Sequence, residues 1–167
     1  MGRNLKMTPE DPQNYCMRGH RVHALAPNEI KEVAQRVCEI MKIKKTSFKG
    51  KRSEQLISRF EQYGIHVDVI ADEEWIDATR ATVDPQKAMI YVPEKFYSDL
   101  CRGRAEAIRI FLHEIGHIVL GHRPLLHFAV ENPREAEDSE WQADYLADSI
   151  IDLLGLPKFD KQMELKF

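Results

Sequence analysis

The run from Ala105 to Leu120 is almost wholly apolar, yet it carries His113-Glu114-Ile115-Gly116-His117 at its centre. As a helix, it has Ile108, Ile110, Phe111, Leu112, Ile115, Ile118, Val119 and Leu120 spread around its circumference, so the segment is predicted to be buried. The four-residue spacing sets the two imidazoles about 40° apart on one face, with Glu114 turned about 100° from His113. Burying two imidazoles and a carboxylate unpaired would cost on the order of several kcal/mol or force their pKa values to shift. A divalent metal with a bound water satisfies all three, which is the arrangement of zinc-dependent hydrolysis. Composition alone would produce His-Glu-x-x-His in roughly three of a hundred such chains, so the apolar setting carries more weight than the motif. The plainer reading is a pair of satisfied core histidines with Glu114 in a salt bridge.

A catalytic zinc site takes three protein ligands and keeps a fourth position open. A histidine six residues beyond His117 is absent, because position 123 is Arg; His122 is five residues on and is expected past the helix end. Cys101 is a thiolate candidate but precedes His113 by about three turns. Glu140 is the better candidate. It opens Glu140-Trp141-Gln142-Ala143-Asp144 on a second expected helix spanning 133–154, with Ala143, Ala147, Ile150, Ile151 and Leu154 as its core stripe. Asp144, one turn on, is placed to accept a hydrogen bond from the outer nitrogen of a ligating histidine. Glu131, Glu135, Glu137, Asp138 and Asp148 read as a solvated acidic face.

With these residues in place, the chain resembles the ImmA/IrrE-type zinc metallopeptidases. The resemblance rests on His113-Glu114-Ile115-Gly116-His117 followed by Glu140-x-Gln142-Ala143-Asp144-x-Leu146-Ala147. Gln142 stands where that pattern usually has a second acid, and Leu146 where it has Phe. The match is good over 80–154 and weaker before. It implies an α+β, zincin-like fold, mostly helical, with a small antiparallel sheet preceding the motif helix. It also implies one zinc ion per chain and a cytoplasmic endopeptidase that cuts a DNA-binding repressor of the helix-turn-helix kind, often encoded on a mobile element. By the same resemblance, the hairpin at about 80–92 is where an extended peptide substrate would lie.

The 167 residues, 43% hydrophobic and 31% charged, suit one globular domain, read as an irregular arm over 1–24 and a metallopeptidase domain over 25–167. Cys16, Cys38 and Cys101 are too few and scattered for a disulfide framework, which favours a reducing compartment. No signal-like or membrane-spanning run is present, so a cytoplasmic protein without a membrane partner is expected. A first helix is expected from Pro27 to Met41, with Ile30, Val33, Ala34, Val37, Ile40 and Met41 buried. A second is expected to end at Gly64. A strand over 65–70 follows, then a hairpin turning at Asp84-Pro85-Gln86-Lys87. Lys42, Lys44, Lys45, Lys49, Lys51 and Arg52 form a basic stretch without an acid. No aromatic interleaving or reading helix accompanies it, so a solvated loop is favoured over a nucleic-acid contact.

In the hydrolase reading His113, His117 and Glu140 hold the zinc, Glu114 is the general base, and Asp144 braces a ligand. An oxyanion donor is also needed, for which His122, His127, Arg134 and Tyr145 all stay open. The alternative function is a zincin-fold binding module that sequesters a regulator or toxin without cutting it, for which an intact Glu114 would have no use.

Overall fold

The computed structural model describes residues 15–76, 79–125 and 132–159. Among them the order is α1 (Pro27–Ile40), α2 (Lys51–Gln62), β1 (His66–Ile70), β2 (Thr82–Asp84), β3 (Met89–Pro93), α3 (Glu94–Cys101), α4 (Ala105–Val119) and α5 (Ser139–Leu154). The α+β architecture is the expected one.

Local chemistry explains the boundaries. Pro27 occupies the first turn of α1, where its missing N–H is not needed, and the Glu29 carboxylate accepts from the Ala26 N–H. Four residues of the expected α1 stripe, Ile30, Ala34, Val37 and Met41, are buried, whereas Ile40 is half exposed. The tip between β2 and β3 is held by Asp84, whose Oδ1 accepts from the N–H groups of Gln86 and Lys87 at 3.1 and 3.3 Å.

The sheet has the order β1-β3-β2 and is mixed, not antiparallel as expected. The hairpin is there, with Val83 opposite Ile90, but β1 runs parallel to β3, Val67 opposite Ile90 and Val69 opposite Val92. The reason lies in burial. Ile90 and Val92 are fully buried, so β3 takes the centre and needs a neighbour on each side. The hairpin supplies one neighbour, leaving β2 as an edge strand. The chain leaving α2 at Gly64 supplies the other, entering beside the start of β3 through the His66 N–H to the Ala88 carbonyl at 2.9 Å.

The core lies between the sheet and the helices, with Phe60 and Phe111 edge to face at 5.9 Å. The motif helix α4 packs most extensively on α5, and α1 packs on α5 as well. Helix α5 starts at Ser139, later than the expected 133, because Asp138 caps it by accepting from the Glu140 N–H at 3.0 Å. The reading of Asp138 as a solvated acid is therefore corrected. It is fully buried and also accepts from Tyr15 Oη at 2.7 Å, Arg18 N at 2.9 Å and Gly19 N at 3.0 Å. Glu137 is partly buried and pairs with Arg21 at 3.2 Å, whereas Glu135 and Asp148 are exposed as expected, Asp148 pairing with Arg109 at 3.0 Å; Glu131 lies outside the described residues. The described part of the N-terminal arm is thus laid along the entry to α5, with Val22 N–H on the Glu137 carbonyl and Ser139 N–H on that of His20.

Candidate metal centre

His113 and His117 project from one side of α4 toward the first turn of α5, where Glu140 stands. The helices can approach this closely because Gly116 has no side chain at the crossing: a Cβ there would meet Ala143 Cα and Leu146 Cδ2 at 3.2 Å. The three donors converge. His113 Nε2 and His117 Nε2 are 3.0 Å apart, with Glu140 Oε2 3.0 Å from the first and Glu140 Oε1 3.3 Å from the second. With metal–ligand bonds of about 2.0–2.1 Å, neighbouring donors of a tetrahedral zinc lie roughly 3.3 Å apart, so the two imidazole nitrogens and the Glu140 carboxylate are spaced closely enough to share one ion. Among the described residues this is the group of His, Cys, Asp and Glu side chains that could hold a metal ion. Cys101 is not part of it. It is half-buried beside Tyr97 and Ser53.

Each histidine is held from behind. His113 Nδ1 bonds to Asp144 Oδ1 at 2.8 Å, and Asp144 is itself gripped by Arg18 at 2.9 Å and Arg109 at 3.4 Å. Burial would raise the Asp144 carboxyl, but the hydrogen bonds from His113 and Arg18 and the charge of Arg109 hold it at about 2. The two histidines beside it, His113 foremost, keep the Glu140 carboxyl far below the usual range, against the effect of burial. Burial of the His113 ring opposes its charge, yet the hydrogen bonds to Asp144 and Glu140 prevail and lift it to about 9 without a metal.

Glu114 lines the same cleft as the three donors, and burial pushes its carboxyl up, opposed by the charges of His113 and His117. The cleft holds about 430 Å³ and is flanked by the edge strand β2 from Thr82 to Asp84. The open oxyanion question narrows. His122 is buried with both ring nitrogens engaged, Nδ1 by His117 and Nε2 by Gln142, each at 2.8 Å, and burial lowers it to about 4. Arg134 turns to Glu137, and Tyr145 stacks beside Trp141 with Lys31 over its ring; neither lines the cleft. His127 lies outside the described residues.

His20 and Arg123 are among the cleft residues that the sequence reading does not single out. His20 had no local signal, since it arrives through the docking of the arm on Asp138. Arg123 could have been flagged by its place just after α4. The basic stretch lies elsewhere, with Lys42, Lys44 and Arg52 lining a separate pocket beside Arg59. No helix among the described residues is long and apolar enough to cross a membrane. Comparison with protein-family models, with curated proteins and with solved structures finds no match for this chain.

Proposed function

We propose that this protein is a zinc-dependent endopeptidase of the zincin type. The observation that carries the reading is the convergence of His113, His117 and Glu140 within one cleft that also contains Glu114. These three residues would hold the ion, which when bound supplies Lewis acidity toward water and toward a peptide carbonyl.

The chain's own groups supply the rest. Glu114 takes a proton from the attacking water and passes it to the departing amine; its upward-shifted carboxyl suits a group that must first accept and then donate. Asp144 fixes the ring of His113. The outer side of β2, unpaired by any strand among the described residues, offers backbone groups for an extended peptide to pair with, placing a carbonyl over the cleft floor. His20 and Arg123 are the cleft side chains best suited to donate toward a developing oxyanion. The sequence resemblance to ImmA/IrrE-type peptidases supports a regulated cytoplasmic enzyme directed at a helix-turn-helix repressor.

The test combines metal content with turnover. Wild type and Glu114→Gln should each carry about one zinc per chain and Glu140→Ala much less. Against a peptide library spanning helix-turn-helix sequences, Glu114→Gln should lose roughly 10²–10⁴-fold in rate. Unimpaired cleavage by that variant would refute the assignment, as would a wild type that takes up no metal.

A further inference from the structure

Behind His117 runs a chain of hydrogen bonds whose direction is set by the backbone. The side-chain nitrogen of Gln142 lies 2.8 Å from the His23 carbonyl and 2.7 Å from the Ala136 carbonyl. Carbonyl oxygens only accept, so both amide hydrogens are committed there. The Gln142 oxygen is therefore what faces His122 Nε2 at 2.8 Å, and it too can only accept, so His122 carries its proton on Nε2. In the neutral ring Nδ1 is then an acceptor. His117 Nδ1, 2.8 Å away, has to be the donor. That leaves the lone pair of His117 Nε2 directed at His113 and Glu140.

We infer that His122 and Gln142 are positioning residues: anchored on the carbonyls of His23 and Ala136, they lock His117 in the tautomer whose Nε2 is free to bind a metal. Gln142 does not line the cleft, and His122, which lines its wall, acts through His117. The lock has work to do, because a histidine side chain in water prefers the opposite tautomer, with its proton on Nε2. It also differs in kind from the brace on His113. There a carboxylate, Asp144, supplies a negative charge, whereas the chain behind His117 is uncharged from end to end. An acid at position 142 could accept from His122 but could not donate to the two carbonyls, which explains why an amide suits this position here.

The inference rests on the metal-site reading only for its consequence; the tautomer itself can be read in metal-free protein. Long-range ¹H–¹⁵N NMR of histidine-labelled, metal-free wild type at neutral pH should place the proton of His117 on Nδ1 and that of His122 on Nε2. In Gln142→Met and His122→Leu, the His117 proton should shift toward Nε2, and zinc affinity should fall roughly ten- to a hundredfold. His122→Gln keeps an acceptor toward His117 and a donor toward Gln142, so it should restore both tautomer and affinity; it serves equally if either disruptive variant fails to fold. A wild-type His117 protonated on Nε2 would overturn the inference, as would an unchanged tautomer in Gln142→Met or His122→Leu, or a His122→Gln variant no better than His122→Leu. A wild type with the expected tautomers that binds no zinc would instead sink the metal-site reading and leave the lock standing.

Discussion

Gly116 lies tightly against Ala143: a Cβ built on Gly116 would stand 3.2 Å from Ala143 Cα and 3.4 Å from its Cβ. Gly116 is the residue before His117, and Ala143 is the residue before Asp144. This tight contact between the two helices thus falls between the histidine pair of α4 and the carboxylates of α5. The separation at this crossing sets how far Glu140 must reach.

Replacing Gly116 should accordingly damage metal binding before it damages the fold. Ala needs the neighbours to give by a few tenths of an ångström, while Val forces the helices apart, at about 1–3 kcal/mol for overpacking. Gly116→Val is expected to lower the thermal midpoint and to lose most bound zinc, Gly116→Ala to retain it. Equal zinc content in wild type and Gly116→Val would show that the crossing does not control the site.

Asp138 holds the arm to α5, and its removal leaves several donors without a partner. Tyr15, the N–H groups of Arg18 and Gly19 and that of Glu140 all converge on this buried carboxylate. Asp138→Ala is expected to cost on the order of 3 kcal/mol, from a lost helix cap together with unsatisfied buried N–H groups. Limited proteolysis should then cut between Tyr15 and His23 much faster than in wild type. An unchanged digestion pattern would mean the arm is held by other contacts.

What was legible in the sequence follows from the range of the interactions. The pairs His113/His117 and Glu140/Asp144 each repeat at four residues, so helical geometry alone orients each pair, and the structure brings three of these side chains together. The burial of Asp138 is not legible in the sequence because its partners in the arm are about 120 positions away, and nothing near it in sequence distinguishes a buried cap from a solvated one. His122 was correctly expected beyond the end of α4, but its burial depends on Gln142 and on a carbonyl of the arm. The parallel β1–β3 pair escaped for a related reason: alternation identifies a strand, and only the demand for a second neighbour beside β3 decides which way β1 runs.

Asp144→Asn separates charge from shape. The amide can still accept from His113 Nδ1, so the ring stays oriented, but the ion pairs with Arg18 and Arg109 lose their negative partner. Zinc affinity is expected to fall roughly ten- to a hundredfold with stoichiometry preserved at high zinc. Competition with a chromogenic chelator would measure it, and an affinity equal to wild type would remove Asp144 from any role at the centre.

Without metal, the fold should weaken as the solution turns alkaline. His113 rises from its ordinary 6.5 to about 9 because the hydrogen bonds to Asp144 and Glu140 outweigh the burial of its ring. A raised pKa means the folded state holds a proton that the unfolded chain releases. The resulting stabilisation is fully present below pH 6.5 and disappears as pH climbs through about 9. Asp144, depressed to about 2 from 3.8, works in the opposite sense, stabilising above 3.8 and failing as pH drops toward 2. Denaturant titrations of metal-free protein should therefore show stability falling between pH 6.5 and 9, with a shallower fall in Asp144→Asn. Zinc has to displace the same proton, so its apparent affinity should rise over that interval, and calorimetry near pH 7.5 in buffers of different ionisation enthalpy should register about one proton released per zinc bound. A metal-free stability that is level from pH 6.5 to 9 would show that no proton is shared among His113, Asp144 and Glu140.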